Sequence, residues 1–279
     1  MLDILLHLLL PIASSLIYAG LGYHFWQTRW RETGKTLSPL PIQNWERLTM
    51  LSALILQGIA LHDGLFGAGG MRFSFGFALS LMLWLAVLIY WLESFRSRVD
   101  GLQPMVLPLA ALCSMLPVLF PQAHALAHSE SWGFKLHFVA AMLAYSLFTL
   151  SALHAIFMSV VERKLHLGLL NKQLASLPPI LAMETLLFRM ITIAFSLLTI
   201  TLGSGLMFSE AIFGKALAFD HKTLFAFASW GIFAALLIGR RIHGWRGRIA
   251  LRWTLTGFLL LFLAYIGSRF VSEVLLGRI

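Results

Sequence analysis

Cysteine, charge and acidic side chains are all scarce in this 279-residue sequence. The one cysteine, Cys113, lies inside an apolar stretch. There is no disulfide framework and no C-x-x-C pair, so the chain cannot itself run dithiol chemistry. Charged residues make up 12% of the chain against 59% hydrophobic, with a mean hydropathy of +0.82. That composition excludes a soluble globular domain. Asp63, Glu93, Glu162, Glu184 and Asp220 all fall near the ends of apolar segments, so no intramembrane acid pair points to a proton-driven transporter. No phosphate-cradling glycine loop, zinc-protease helix or serine–histidine–acid arrangement is present. No Lys or Arg precedes Arg29. The apolar N-terminus therefore lacks the basic flank of a cleaved signal peptide and is expected to remain as a first helix.

What is present is a series of long apolar runs, which must be helical if their solvent is lipid. The sequence predicts an all-α polytopic membrane protein, one integral membrane domain over residues 1–279. It is read as a bundle of about eight transmembrane helices: Ile4–Trp26, Leu48–Phe66, Phe73–Leu92, Pro104–Phe120, Gly133–Val161, Phe188–Phe208, Thr223–Gly239 and Ile249–Val271. In the fourth, Pro104, Pro108, Pro117 and Pro121 predict bent or unwound ends. The net charge of +9 does not signal nucleic acid, because the basic residues sit in short links between apolar runs, where they orient the chain. Of the 21 Lys and Arg, fifteen fall in the links after the first, third, fifth and seventh segments or at the adjoining helix starts. That bias predicts both termini outside, in the periplasm, and the most arginine-rich link in the cytoplasm of a bacterial inner membrane.

That link closes Asp220–Arg248, DHKTLFAFASWGIFAALLIGRRIHGWRGR. His243 and Trp245 stand there among Arg240, Arg241, Arg246 and Arg248. Imidazole suits a metal and guanidinium suits carboxylates, so the set fits a planar, dianionic, metal-containing ligand. The same arginines also serve simply to set topology.

Ten histidines sort by depth. His7, His24 and His166 lie at helix ends or in loops, and His124, His128 and Glu130 form a sparse external cluster with few ligands for a metal. His137 lies just inside the outer end of the fifth segment, with Ala140, Ala141 and Ala144 following on the same helical face. Those small side chains leave either a flat wall for a macrocycle or room for a neighbouring helix. His62, with Gln57 in the same helix, is a second outer candidate, and His154 and His243 form an inner pair. Two ligand positions at different depths suit passing something across the bilayer. Gly203-Ser204-Gly205 reads as a helix-packing element.

Taken in order, LHFVAAMLAYSLF, METLLFRMITIAFSLLTITLGSGLMF, RRIHGWRGR and AYIGSRFV resemble the cytochrome c assembly family of haem-handling membrane proteins, of the CcsA and CcmC type, and its HemX/YpjD-type branch in particular. The likeness runs from Trp132 to the C-terminus (residues 132–279), and more weakly through the second and third helices. It implies haem b as cofactor, His137 as an outer axial iron ligand and His243 as an inner one. Other cytochrome c assembly proteins and apocytochrome c are the implied partners, alongside the lipid bilayer. Full haem-delivery members carry a tryptophan-rich segment ending in W-D-P-K-E. SEAIFGKALAFDHKTL stands in its place without tryptophan, and no counterpart of their second external histidine follows the last helix. The resemblance thus implies a haem-binding assistant of haem trafficking and cytochrome c maturation, not an enzyme. The alternative is a membrane regulator or scaffold that contacts a cytoplasmic tetrapyrrole-synthesis enzyme.

Overall fold

The computed structural model describes residues 2–31, 42–66, 71–96, 101–121, 124–125, 131–166, 179–213 and 221–275. Along the chain these form α1 (Leu2–Phe25) with a π-helical extension at Trp26–Arg31, α2 (Asn44–Phe66), β1 (Arg72–Phe73) and α3 (Phe75–Glu93). Then come α4 (Gln103–Ser114), α5 (Leu116–Leu119), β2 (His124–Ala125), α6 (Trp132–His166) and α7 (Ile180–Phe213). Next are α8 (His221–His243) and α9 (Arg248–Phe262), the latter continued by π-helical turns at Leu263–Gly267 and Phe270–Leu275.

Seven of these helices are long and apolar enough to cross a membrane, with mean hydropathies from 1.4 to 2.1. The eighth apolar segment, Gln103–Leu119, is shorter and breaks at Met115 into α4 and the four-residue α5. Its prolines explain the break, since each removes a backbone donor and crowds the preceding turn. The segment nonetheless traverses the bundle. At its start the Gly101 carbonyl accepts a bond from Trp30 Nε1 (3.1 Å). Beyond its far end β2 pairs antiparallel with β1, Arg72 opposite Ala125 and Phe73 opposite His124. β1 lies between α2 and α3, so the bundle has a β end and, opposite it, an end carrying the α8–α9 turn, the arginine end.

Hydroxyls within the helices mostly fold back onto their own chain. Ser146, Thr149, Ser151, Thr192, Thr201 and Thr254 each donate to the carbonyl four residues earlier, at 2.6–2.8 Å. That is how short polar side chains are satisfied in lipid without a partner helix. Cross-helix polar contacts are fewer and better placed: Ser15 Oγ to Ala111 O (2.9 Å), Trp84 Nε1 to Leu54 O (2.7 Å) and Ser229 Oγ to Gly257 O (2.8 Å).

α6 is the axle. Buried residues make up 61% of its membrane-length window, against 22% for α8. It packs on α3, α7 and α9, while α1, α2, α3 and α4 pack among themselves. Phe148 of α6 stacks on Phe233 of α8 with centroids 4.0 Å apart. A second apolar cluster caps the β end, where Phe73 meets Phe138 edge-on at 5.1 Å. Such close packing, rather than hydrophobic transfer, holds helices together in lipid.

Candidate functional site

At the arginine end α8 finishes in Arg240, Arg241 and His243, cations that complement the negative end of the helix dipole. The chain reverses through Gly244 and Gly247, whose φ values of +64° and +54° lie in the left-handed region that favours glycine. The Trp245 N–H then closes onto the Gly239 carbonyl at 3.3 Å. The indole covers Gly239 so closely that a Cβ there would collide with it, and it lies 5.1 Å from Trp253.

Two of the four arginines are engaged by carboxylates. Arg240 Nη1 donates to Glu184 Oε1 at 3.0 Å, and its guanidinium lies 4.2 Å over the Phe188 ring. Glu184, only 5% exposed, also accepts the Gly247 N–H at 3.3 Å, so α7 is tied to the α8–α9 turn. Arg248 Nε donates to Glu162 Oε1 at 2.9 Å, fixing the start of α9 to α6. Arg241, Arg246 and His243 are exposed, and the His243 ring lies 6.1 Å from Trp245. Trp245 is half-buried and occupied in packing.

His154 lies deeper, 3% exposed, with Nε2 3.0 Å from the Met183 carbonyl. A carbonyl only accepts, so Nε2 carries the proton and Nδ1 holds the lone pair, which has no partner. His154 and His243 are therefore not brought together: one is buried between α6 and α7, the other lies on the surface. Met183 and Glu184 link their neighbourhoods.

Toward the β end, His137 Nδ1 lies 2.9 Å from Ser204 Oγ on α7. Ser204 Oγ is also 2.7 Å from the Ile200 carbonyl and 3.1 Å from that of Thr201. With the single hydroxyl proton on a carbonyl, Ser204 accepts from His137 Nδ1–H, the tautomer that keeps the ring lone pair on Nε2. Gly205 allows the approach, since a Cβ there would stand 3.5 Å from His137 Cε1. Of the small residues after His137, Ala141 and Ala144 are buried in the bundle, so at that depth the face admits protein; Ala140 is half-buried.

His62 is exposed on α2, its ring 5.5 Å from Phe66. Gln57, five residues earlier, points the other way, because five residues turn a helix through about 140°. It is 1% exposed and bonds to Ser80. α3 packs on both α2, which carries His62, and α6, which carries His137. His128 and Glu130 lie outside the described residues, as do residues 214–220 of the segment standing for the tryptophan-rich stretch.

Sequence reading missed three partners. Ser204 was read only as packing, and Glu184 only as a helix-end acid. Glu46, 4% exposed, gathers His24 Nε2 (2.9 Å), Arg29 (3.2 Å) and the Gln43 N–H (2.7 Å), so His24 is more than an interfacial residue. An acid at the edge of an apolar run near several cations was the available signal in both acidic cases. Among the described residues, no group of three or more His, Cys, Asp or Glu side chains could hold a bare metal ion.

The chain is 27% identical over 242 residues to the inner membrane protein YpjD of Escherichia coli K12, covering 83% of this chain and 89% of that one. It is 30% identical over 207 residues to an uncharacterized 28.8 kDa protein of Azospirillum brasilense, covering 71% and 76%. A shorter match, 38% over 90 residues, is to the cytochrome c biogenesis protein CcsA of Prochlorococcus marinus MIT 9215, 32% of this chain and 29% of that one. Seven apolar helices fit a multi-pass bacterial inner membrane protein like the first of these. The sequence model described as Cytochrome C assembly protein matches residues 45–276, and the chain belongs to that family.

Proposed function

We propose that this chain acts as one membrane-embedded unit that binds haem b and assists its trafficking during cytochrome c maturation. The arginine end faces the cytoplasm and both termini lie outside, as the distribution of Lys and Arg favours. His137 is the outer axial ligand through Nε2. His243, with Arg241 and Arg246 for the propionates, receives haem at the inner side; Arg240 and Arg248 hold the turn that presents them.

The observation that carries this reading is the Ser204–His137 bond. Imidazoles that bind metal characteristically donate their other N–H to a fixed acceptor, which sets the tautomer and the ring angle. Porphyrin supplies four equatorial donors of its own, so one or two imidazoles suffice where a bare ion would need a cluster. Haem would bring the iron and the vinyl groups that apocytochrome thiols attack. The protein's part is to hold and orient it, and the cysteines must come from the apocytochrome, since Cys113 stands alone.

Purification in mild detergent tests the reading. A Soret band is expected that weakens in His137→Ala and in His243→Ala, with helix content unchanged. Folded protein that takes up no haem in either redox state would end it. A second reading, a regulator docking a cytoplasmic tetrapyrrole-synthesis enzyme, draws on the exposed surface of Arg241, His243 and Arg246 around Ile242, itself 72% exposed. Colourless protein that co-purifies with such an enzyme would favour it.

A further inference from the structure

Away from the histidines, the β end holds a cavity of about 380 Å³ between α1, α2, α3 and the broken α4–α5 pair. The size falls in the range of small-molecule sites. It lies where the fourth apolar segment breaks, and the four-residue α5 supplies Pro117 and Val118 to its wall. Leu61, Phe77 and Val118 supply apolar wall, and the polar members are Gln57, Ser80, Ser114 and Arg72.

Those polar groups are not interchangeable. Gln57 Nε2 donates to Ser80 Oγ (3.0 Å) and Ser80 O (3.3 Å). The carbonyl accepts only, which fixes the amide with its nitrogen toward Ser80. Among the described residues Gln57 Oε1 is left buried and without a donor, which costs free energy until something donates to it. Ser114 Oγ donates to the Ala111 carbonyl at 2.8 Å, so toward anything else it offers lone pairs. The deep part of the cavity therefore presents acceptors and asks for a donor. Arg72, exposed on β1, lines the same cavity, and among the described lining residues none is a carboxylate that would welcome a cation. From Gln57 to Gly64, also in the wall, α2 rises about 10 Å. A fitting ligand is therefore short, largely apolar and uncharged at its inner end, with an O–H there and an acceptor oxygen at the outer end.

We propose that this cavity binds a hydroquinone-type ring, one hydroxyl donating to Gln57 Oε1 and the opposite oxygen facing Arg72. The oxidised quinone has no proton to donate, so the site prefers the reduced form. The assignment is independent of the haem reading, because none of the described residues lining the cavity is a histidine.

Calorimetry on the full chain in detergent tests it, with a decyl-tailed benzohydroquinone kept reduced under anoxia and, separately, its oxidised quinone. The reduced form is expected to saturate and to bind about tenfold tighter than the quinone, the size of one hydrogen bond. Gln57→Leu should erase that difference. Ala60→Phe, which fills the cavity from α2, should abolish binding of both forms, and neither variant should change haem content or the unfolding temperature enough to signal misfolding. Equal affinity for the two redox forms in the unsubstituted protein would overturn the proposal. So would binding that survives Ala60→Phe, a failure of the reduced form to bind, or phospholipid as the only molecule extracted from the purified chain.

Discussion

The two ends of the bundle handle polarity in opposite ways. At the arginine end the cations meet buried or half-buried acids: Arg240 with Glu184, Arg248 with Glu162, Arg29 and His24 with Glu46. Toward the β end two contacts are between neutral partners, Ser204 under His137 and Ser80 under Gln57. The difference shows that arginines adjacent in sequence need not share one role. Arginines that look alike in RRIHGWRGR divide into those that build the turn, Arg240 and Arg248, and those left on the surface, Arg241 and Arg246. Neutral contacts instead set the proton position on an imidazole and the orientation of an amide, which is what a ligand site needs.

The comparison can be broken most sharply at Glu184. Glu184→Gln leaves Arg240 without its counter-charge in a nearly buried place, and a loss of about 3–5 kcal/mol is expected, read as a lower unfolding temperature in detergent. A variant as stable as the parent would show that the pair is dispensable. Gly239→Ala, which drives a methyl into the Trp245 indole, should cost about 1–3 kcal/mol by the same measurement. At the neutral end, Ser204→Ala should leave stability nearly unchanged yet weaken haem affinity about tenfold, the usual size of a lost bond behind a metal ligand. Haem titration followed at the Soret band checks this, and an unaltered titration would reduce Ser204 to a packing residue. The smallest effects belong to Arg241→Ala and Arg246→Ala made singly. Each exposed charge is worth about 0–1 kcal/mol to stability. Haem content should fall only modestly in each, with topology held constant by reporter fusions that place the α8–α9 turn in the cytoplasm.

Much of the helical architecture was legible because lipid leaves the backbone no alternative to helix, and proline density marked the fourth segment for breaking. The site was legible only in part. His137 was recognisable by depth, but its Ser204 partner lies 67 residues away on another helix, and no local pattern announces such a pairing. His62 looked equivalent to His137 by depth alone. The difference lies in helix rotation, which turns His62 outward and Gln57 inward. Glu184 and Glu46 were passed over because an acid near a helix end reads as solvated until the neighbouring helix is in place.

The sequence by itself determined a polytopic helical membrane protein with its charge concentrated in the links. These follow from composition and run length, which do not depend on what packs against what. Tertiary structure alone decided which arginines are neutralised, that Ser204 meets His137 at Nδ1, and that the broken α4–α5 pair borders a cavity beside Gln57. Each of those depends on the rotation and approach of helices distant in sequence, and one angstrom or one turn in either changes the answer.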